Sequence, residues 1–146
     1  DAAFRDPLTS VWNRTGVDEH ARRLTEHAQR TRKPLAVMVF DVDDFKTVND
    51  VHGHPAGDDV LVRVARGLAE RLPERSVLGR IGGDEFVAIV AGYDHEDARR
   101  LAGALATGHQ VAVSYGVAAG DPRGADIRAL FAGADDDLYR RKRLRR

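Results

Sequence analysis

At 146 residues, 42% of them apolar, the chain is long enough for one domain with a real core, and the absence of cysteine removes disulfide frameworks and thiolate metal sites, which suits a reducing cytoplasm. No apolar run reaches the length of a membrane span and no signal peptide opens the chain, so this segment reads as making no direct membrane contact; Asp1 in place of Met reads as a single domain, 1–146, excised from a larger multidomain protein that could itself be membrane-anchored. Twenty-three basic residues balance 23 acidic ones, yet six of the last seven are basic (Arg140, Arg141, Lys142, Arg143, Arg145, Arg146), and a neutral chain with one basic end is not a general nucleic-acid binder.

In chain order, a polar lead-in at 6–13 precedes a helix expected to follow Thr15-Gly16 and run to about Arg32, with Val17, Ala21, Leu24 and Ala28 at helical spacing and Pro34 ending it. The apolar run 35–40 suits a strand buried on both faces and ends in Asp41-Val42-Asp43-Asp44. A short helix or turn at 44–51 carries Phe45, Lys46 and Asn49. Gly53 and Gly57 mark a bend, and Val60, Leu61, Val64, Ala65, Leu68 and Leu72 form a second stripe closed by Pro73. A hairpin is expected over 77–90, a helix from Asp94 or His95 through Leu105, a strand over 110–118, and a last helix from Ile127 to about Arg143. Strands interleaved with helices suit an α+β domain around one sheet.

The hairpin tip, Ile81-Gly82-Gly83-Asp84-Glu85-Phe86, is the unusual stretch. Its glycines supply positive φ and room for a ligand to approach the backbone. Two adjacent carboxylates repel unless a cation or donor offsets them. If the strands at 35–40 and 87–90 are neighbours, Asp41 and Asp84 meet at one sheet edge and can share that cation.

These residues resemble the GGDEF domain, the catalytic domain of diguanylate cyclases. Gly82 to Phe86 is the signature itself, and Asp41-Val42-Asp43-Asp44-Phe45-Lys46-Thr47-Val48-Asn49-Asp50 is similar to the family's D-x-D-x-F-K-x-x-N-D segment. Asp6-Pro7-Leu8-Thr9-Ser10-Val11-Trp12-Asn13-Arg14 resembles the opening D-x-L-T-G-L-x-N-R, with Ser10 for the usual glycine. Gly53-His54-Pro55-Ala56-Gly57-Asp58 matches the G-H-x-x-G-D step, and Ser114 to Ala118 and Ala134 to Lys142 resemble the closing strand and helix. The resemblance implies a palm-like nucleotidyl cyclase fold, a central five-stranded mixed sheet surrounded by helices.

It also implies a reaction: two GTP molecules joined into cyclic di-GMP with release of two pyrophosphates, across a homodimer in which each copy holds one GTP. Such chemistry needs hard divalent cations, magnesium above all, with manganese able to substitute. By resemblance Asp41, the Val42 carbonyl and Asp84 bind metal. Asp84 takes the hydroxyl proton with the metal's help, Glu85 supports the metal or its waters, and Lys46 stabilises charge on the phosphates. Asn49 and Asp58 read guanine, whose adjacent N–H donors suit a carboxylate and whose remaining edge suits an amide, and an acid at Asp58 argues for GTP over ATP. His54 and Phe45 fall at substrate-contacting positions, although a phenylalanine is more often core, and Lys142 and Arg146 at phosphate-contacting ones.

Plainer readings stand beside these. Asp44 reads as a helix cap, His52 as a surface residue, Trp12 and Phe86 as core, and Arg140, Arg141, Arg143 and Arg145 as a solvated or frayed tail. The family's R-x-x-D product-inhibition site would fall on Pro73 and Ser76, so product is not expected to bind there, while Asp137 and Arg141 stand where the last helix expects alanine. A catalytically silent, GTP-binding regulatory domain is the alternative function, and intact Asp41, Lys46, Asn49, Asp58, Asp84 and Glu85 favour the enzyme.

Overall fold

The computed structural model describes residues 2–124 and 126–145. After a 3-10 turn at Ala2–Phe4, the elements are α1 (Arg14–Thr31), β1 (Leu35–Val42), α2 (Phe45–His52), α3 (His54–Arg71), β2 (Ser76–Arg80), β3 (Glu85–Ala91), α4 (His95–Ala106), β4 (Val113–Gly120) and α5 (Ile127–Leu144). Among the described residues, no helix is long and apolar enough to cross a membrane.

Among the described residues the sheet has four strands in the order β2-β3-β1-β4, and every strand-to-strand pairing is antiparallel. This corrects the expected five-stranded mixed sheet. Strands that run the same way are never neighbours: β3 lies between β1 and β2, and β1 lies between β3 and β4. The lead-in, which could have added a full parallel edge strand, pairs with β2 only through a single parallel bridge, Trp12 to Gly79. It is instead drawn into a tight turn, where Asp6 accepts the Thr9 N–H at 2.9 Å and its hydroxyl at 2.7 Å.

Side-chain alternation along each strand feeds two cores. Ala36, Met38 and Phe40 of β1 join Phe86, Ala88 and Val90 of β3 under α3 and α4. Leu35, Val37 and Val39 join Val87 and Ile89 under α1 and α5. Phe40 and Phe86 face each other in register and are fully buried, each contributing about 2–3 kcal/mol of transfer free energy. At Gly116 of β4 the backbone of α5 lies directly against the strand. A Cβ there would lie 2.2 Å from the Ala134 carbonyl oxygen, so only glycine lets helix and strand touch.

Helix ends differ from the sequence reading in instructive ways. α1 begins earlier than expected because Asn13 caps it, accepting the Gly16 N–H at 2.9 Å. It stops at Arg32, in left-handed geometry, before Pro34 is reached. Asp44 occupies the N-cap position of α2 at φ 56°, but its side chain makes no capping bond, so the expected cap is absent. β4 starts three residues later than expected and ends two later. Asp137, which stands where α5 was expected to carry alanine, accepts the Val117 N–H at 2.9 Å. As β4 is an edge strand, that donor would otherwise need water.

Ser10, standing where the family pattern has glycine, is held at φ 67°. Left-handed geometry costs a residue with a Cβ about 1–2 kcal/mol, partly offset by the lower unfolded-state entropy of serine. Ser10→Gly is therefore expected to raise stability by about 0.5 kcal/mol. Urea unfolding checks it, and a lower midpoint would show that the serine hydroxyl contributes more than its backbone costs.

Candidate active site

The end of β1, the β2–β3 hairpin tip and the middle of α5 bring four carboxylates together: Asp41, Asp84, Glu85 and Asp135. Asp41 continues the Leu35, Val37, Val39 face of β1 and pairs in register with Glu85, the first residue of β3. The Asp84 carbonyl accepts the Val42 N–H at 3.2 Å, fixing the tip to the strand beside it. Burial, then the adjoining Asp41 carboxyl, pushes the Asp84 pKa up to about 6. Burial, then Asp135 of α5, then Asp41 and Asp84, pushes Glu85 up to about 7. Asp41 Oδ1 is buried with no donor on it, and the neighbouring Asp84 carboxyl adds repulsion once ionised. An ionised pair here is short of positive charge. Among the described residues, no three His, Asp or Glu side chains form a ready cation cage, so main-chain oxygen would have to complete a coordination shell.

The tip is braced by a residue that sequence reading passed over. Arg80 donates through Nε and Nη2 to the Gly83 carbonyl at 3.1 and 2.8 Å, and through Nη1 to Asp6 at 3.2 Å. Burial works against ionised Asp6, but the Thr9 hydroxyl and N–H and then Arg80 outweigh it and hold its carboxyl below the usual range. Arg14 adds a bond to the Ile81 carbonyl at 3.1 Å. The available signal was a charged residue closing an otherwise buried strand, which demands a partner. Gly82 and Gly83 do not have the positive φ expected of them. The brace sets the loop instead, and a Cβ on Gly83 would meet nothing within 4 Å, leaving its backbone open to a ligand.

Gly53, at φ 89°, lets α3 start directly after α2. The other expected bend residue, Gly57, is buried inside α3, where Asn49 lies flat against it: a Cβ at 57 would come within 1.9 Å of Asn49 Oδ1 and 3.2 Å of Phe45 Cζ. Phe45 also packs on the core, and the neighbouring Asp58 and the first helical residue, His54, are exposed. Gly57→Ala must swing the Asn49 amide away. If Asn49 reads guanine, as the resemblance implies, the expected result is a roughly tenfold weaker interaction with GTP, about 1.4 kcal/mol, at nearly unchanged stability. Titration calorimetry reads it, and unchanged affinity would remove Asn49 from guanine recognition.

The remaining expected site residues are placed as follows. The Lys46 side chain is 91% exposed and pairs with Asp50 at 3.2 Å, at the rim rather than on the carboxylates. Lys142 donates to Asp41 Oδ2 and lies 3.8 Å from Asp43. Arg146 lies outside the described residues. Of the basic end expected to be solvated or frayed, Arg140 and Arg143 are exposed, but α5 continues to Leu144, Arg145 bonds Asp43 and Ser114, and Arg141 pairs with Asp137 and covers the Tyr115 ring at 4.5 Å. His52 is exposed as expected, and Trp12, half-buried, stacks on His20 with Arg5 over its other face. Cavity size does not locate this chemistry. A cleft of about 980 Å³ between α1 and the start of α5 contains none of the four carboxylates.

Comparison with known proteins converges on one family. The family model described as "Diguanylate cyclase, GGDEF domain" matches residues 3–146. The chain is 31% identical to the probable diguanylate cyclase DgcT of Escherichia coli, covering 96% of this chain and 34% of that protein. It is 32% identical to E. coli diguanylate cyclase DosC, covering 94% of this chain and 33% of that protein. The chain thus spans about a third of the length of these two relatives. The GGDEF domain of DgcB from Caulobacter crescentus, solved in complex with c-di-GMP, superposes with a TM-score of 0.87 at 27% identity, covering 97% of this chain and 91% of that one.

Proposed function

The chain belongs to the GGDEF family of diguanylate cyclase domains, and on that footing we propose that it condenses two GTP molecules into cyclic di-GMP when two copies meet face to face. Each 3'-hydroxyl attacks the other nucleotide's α-phosphorus, one phosphoester bond forms as one pyrophosphate leaves, and the hydroxyl proton passes toward Asp84. The observation that carries this reading is the buried, donorless Asp41 Oδ1 beside Asp84, whose carboxyl resists ionising without a counter-charge. Asp41, Asp84 and the Val42 carbonyl form an all-oxygen donor set that suits magnesium or manganese. When bound, such a cation lowers the pKa of the attacking hydroxyl and offsets triphosphate charge.

The chain's own residues supply the rest. The Gly83 backbone, with no side chain against it, admits the phosphates over the tip. Asn49 and Asp58 take the guanine edge, with His54 and Phe45 beside them. Lys46 is free to leave solvent-exposed Asp50 for the phosphates, a charge exchange that costs little at the surface. Lys142 and Arg146 supply further positive charge, and Glu85 holds the site's water. The test is chromatographic product analysis after incubating concentrated protein, alone and fused to a dimerising coiled coil, with GTP and magnesium. Cyclic di-GMP from the fused dimer establishes the cyclase. GTP bound but unconverted in that dimer overturns it in favour of a silent nucleotide-binding domain.

A further inference from the structure

Two basic side chains from the last turns of α5 approach the end of β1, and they do different work. Arg145 donates to the Asp43 carboxylate at 3.3 and 3.4 Å and to Ser114 Oγ at 2.7 Å. Ser114 in turn donates to Asp43 at 2.7 Å. Asp43 is therefore satisfied without Lys142, which is 3.8 Å away. Asp41 is not. Among the described residues, its Oδ2 takes a donor from Lys142 and its Oδ1 takes none. The Lys142 side chain is 34% exposed, so its ammonium can move into solvent while Arg145 and Ser114 keep the helix end docked.

We propose that Lys142 is the built-in counter-ion of Asp41 in the metal-free domain, exchanged for a divalent cation and handed to the nucleotide's phosphates as the site fills. The inference rests on the cyclase reading for the identity of cation and nucleotide, and adds an order of events to it. A cation arriving alone must evict an ammonium whose nearest other anion, Asp43, is already held by Arg145 and Ser114. A cation arriving with a triphosphate brings the anion that receives it. Metal and nucleotide thus strengthen each other's binding through Lys142, and by linkage the effect is reciprocal. A lysine suits the exchange because its compact ammonium sits on a flexible stem, whereas the planar guanidinium of Arg145 stays committed to two partners.

Manganese binding to the purified domain, followed by electron paramagnetic resonance with and without guanosine 5'-(α,β-methylene)triphosphate, tests this. Lys142→Met is expected to bind Mn²⁺ alone about tenfold more tightly than wild type, within the usual span of such couplings, and to lose most of the reinforcement by the nucleotide. Lys142→Arg, which keeps a charge on Asp41, is expected to stay near wild type. Mn²⁺ binding that is equal or weaker in a folded Lys142→Met protein overturns the counter-ion role and leaves the cation site standing. If wild type and Lys142→Met both fail to bind Mn²⁺, or if Asp41→Asn binds it as well as wild type, the cation site itself falls, and this inference with it.

Discussion

Asp84→Asn is expected to lower cyclic di-GMP formation by about 10³-fold, the scale of a lost proton acceptor, while making the metal-free domain more stable at neutral pH. The two effects have one cause. The folded-state pKa of Asp84, about 6, lies above its ordinary value of 3.8, and that of Glu85, about 7, lies above 4.5. The folded chain therefore holds protons that the unfolded chain has released, and stability falls as pH rises from about 4 to about 7. Below that window both states are protonated and nothing is lost. An uncharged amide at 84 removes the penalty at its centre, so at pH 8 the melting temperature should rise by about 3–6 °C, with no gain at pH 4. Magnesium should stabilise wild type at pH 8 and leave Asp84→Asn unmoved. Thermal unfolding across pH, beside product analysis, gives all three readings. Full activity in the variant would remove Asp84 from the chemistry, and a lower melting temperature at pH 8 would make it a structural residue.

The second large effect belongs to Arg80. Arg80→Met removes the donors on the Gly83 carbonyl and leaves Asp6, whose side chain is only 14% exposed, with Thr9 alone. Breaking a fully buried pair costs about 3–5 kcal/mol, and the residual exposure here reduces that to about 2–3. The double variant with Asp6→Asn should cost less than the two single changes summed, because it leaves no stranded carboxylate. Urea unfolding measures both. Activity should fall about 10²-fold through kcat, since a displaced tip misplaces Asp84 by a fraction of an ångström or more. The KM for GTP should change little, because Asn49 and Asp58 belong to α2 and α3. A change confined to KM would mean that Arg80 meets the nucleotide and not the loop.

Much of the site was legible before folding was considered. The run from Leu35 to Phe40 and the strand from Phe86 to Val90 announce themselves as buried on both faces, because no alternation interrupts them. Once both are strands, Asp41 and Asp84 sit at their ends by position alone. Asp94 marks a helix start that the structure keeps, whereas Asn13, read as lead-in, and Gly53, read as a bend, prove to be the N-cap residues of α1 and α3. What resisted reading is long-range. Arg80 and Asp6 are 74 residues apart, and Lys142 and Asp41 are 101 apart, so no window of sequence contains either pair. Arg145 looked like part of a solvated end because nothing local shows that Asp43 and Ser114 stand opposite it, whereas the Arg141–Asp137 pair is an i,i+4 contact within α5.

By itself, then, the sequence determined the helices, the buried strands, the acidic tip and the family, since periodicity, turn chemistry and motif order are properties of neighbours along the chain. Tertiary structure alone decided that β3 enters between β1 and β2, that the sheet closes at four antiparallel strands, and that α5 lies flush on Gly116. It also decided that Asp41 keeps one buried oxygen without a donor while Lys142 holds the other. Electrostatic partnership depends on distance through space, which the chain sets only when its layers close on one another.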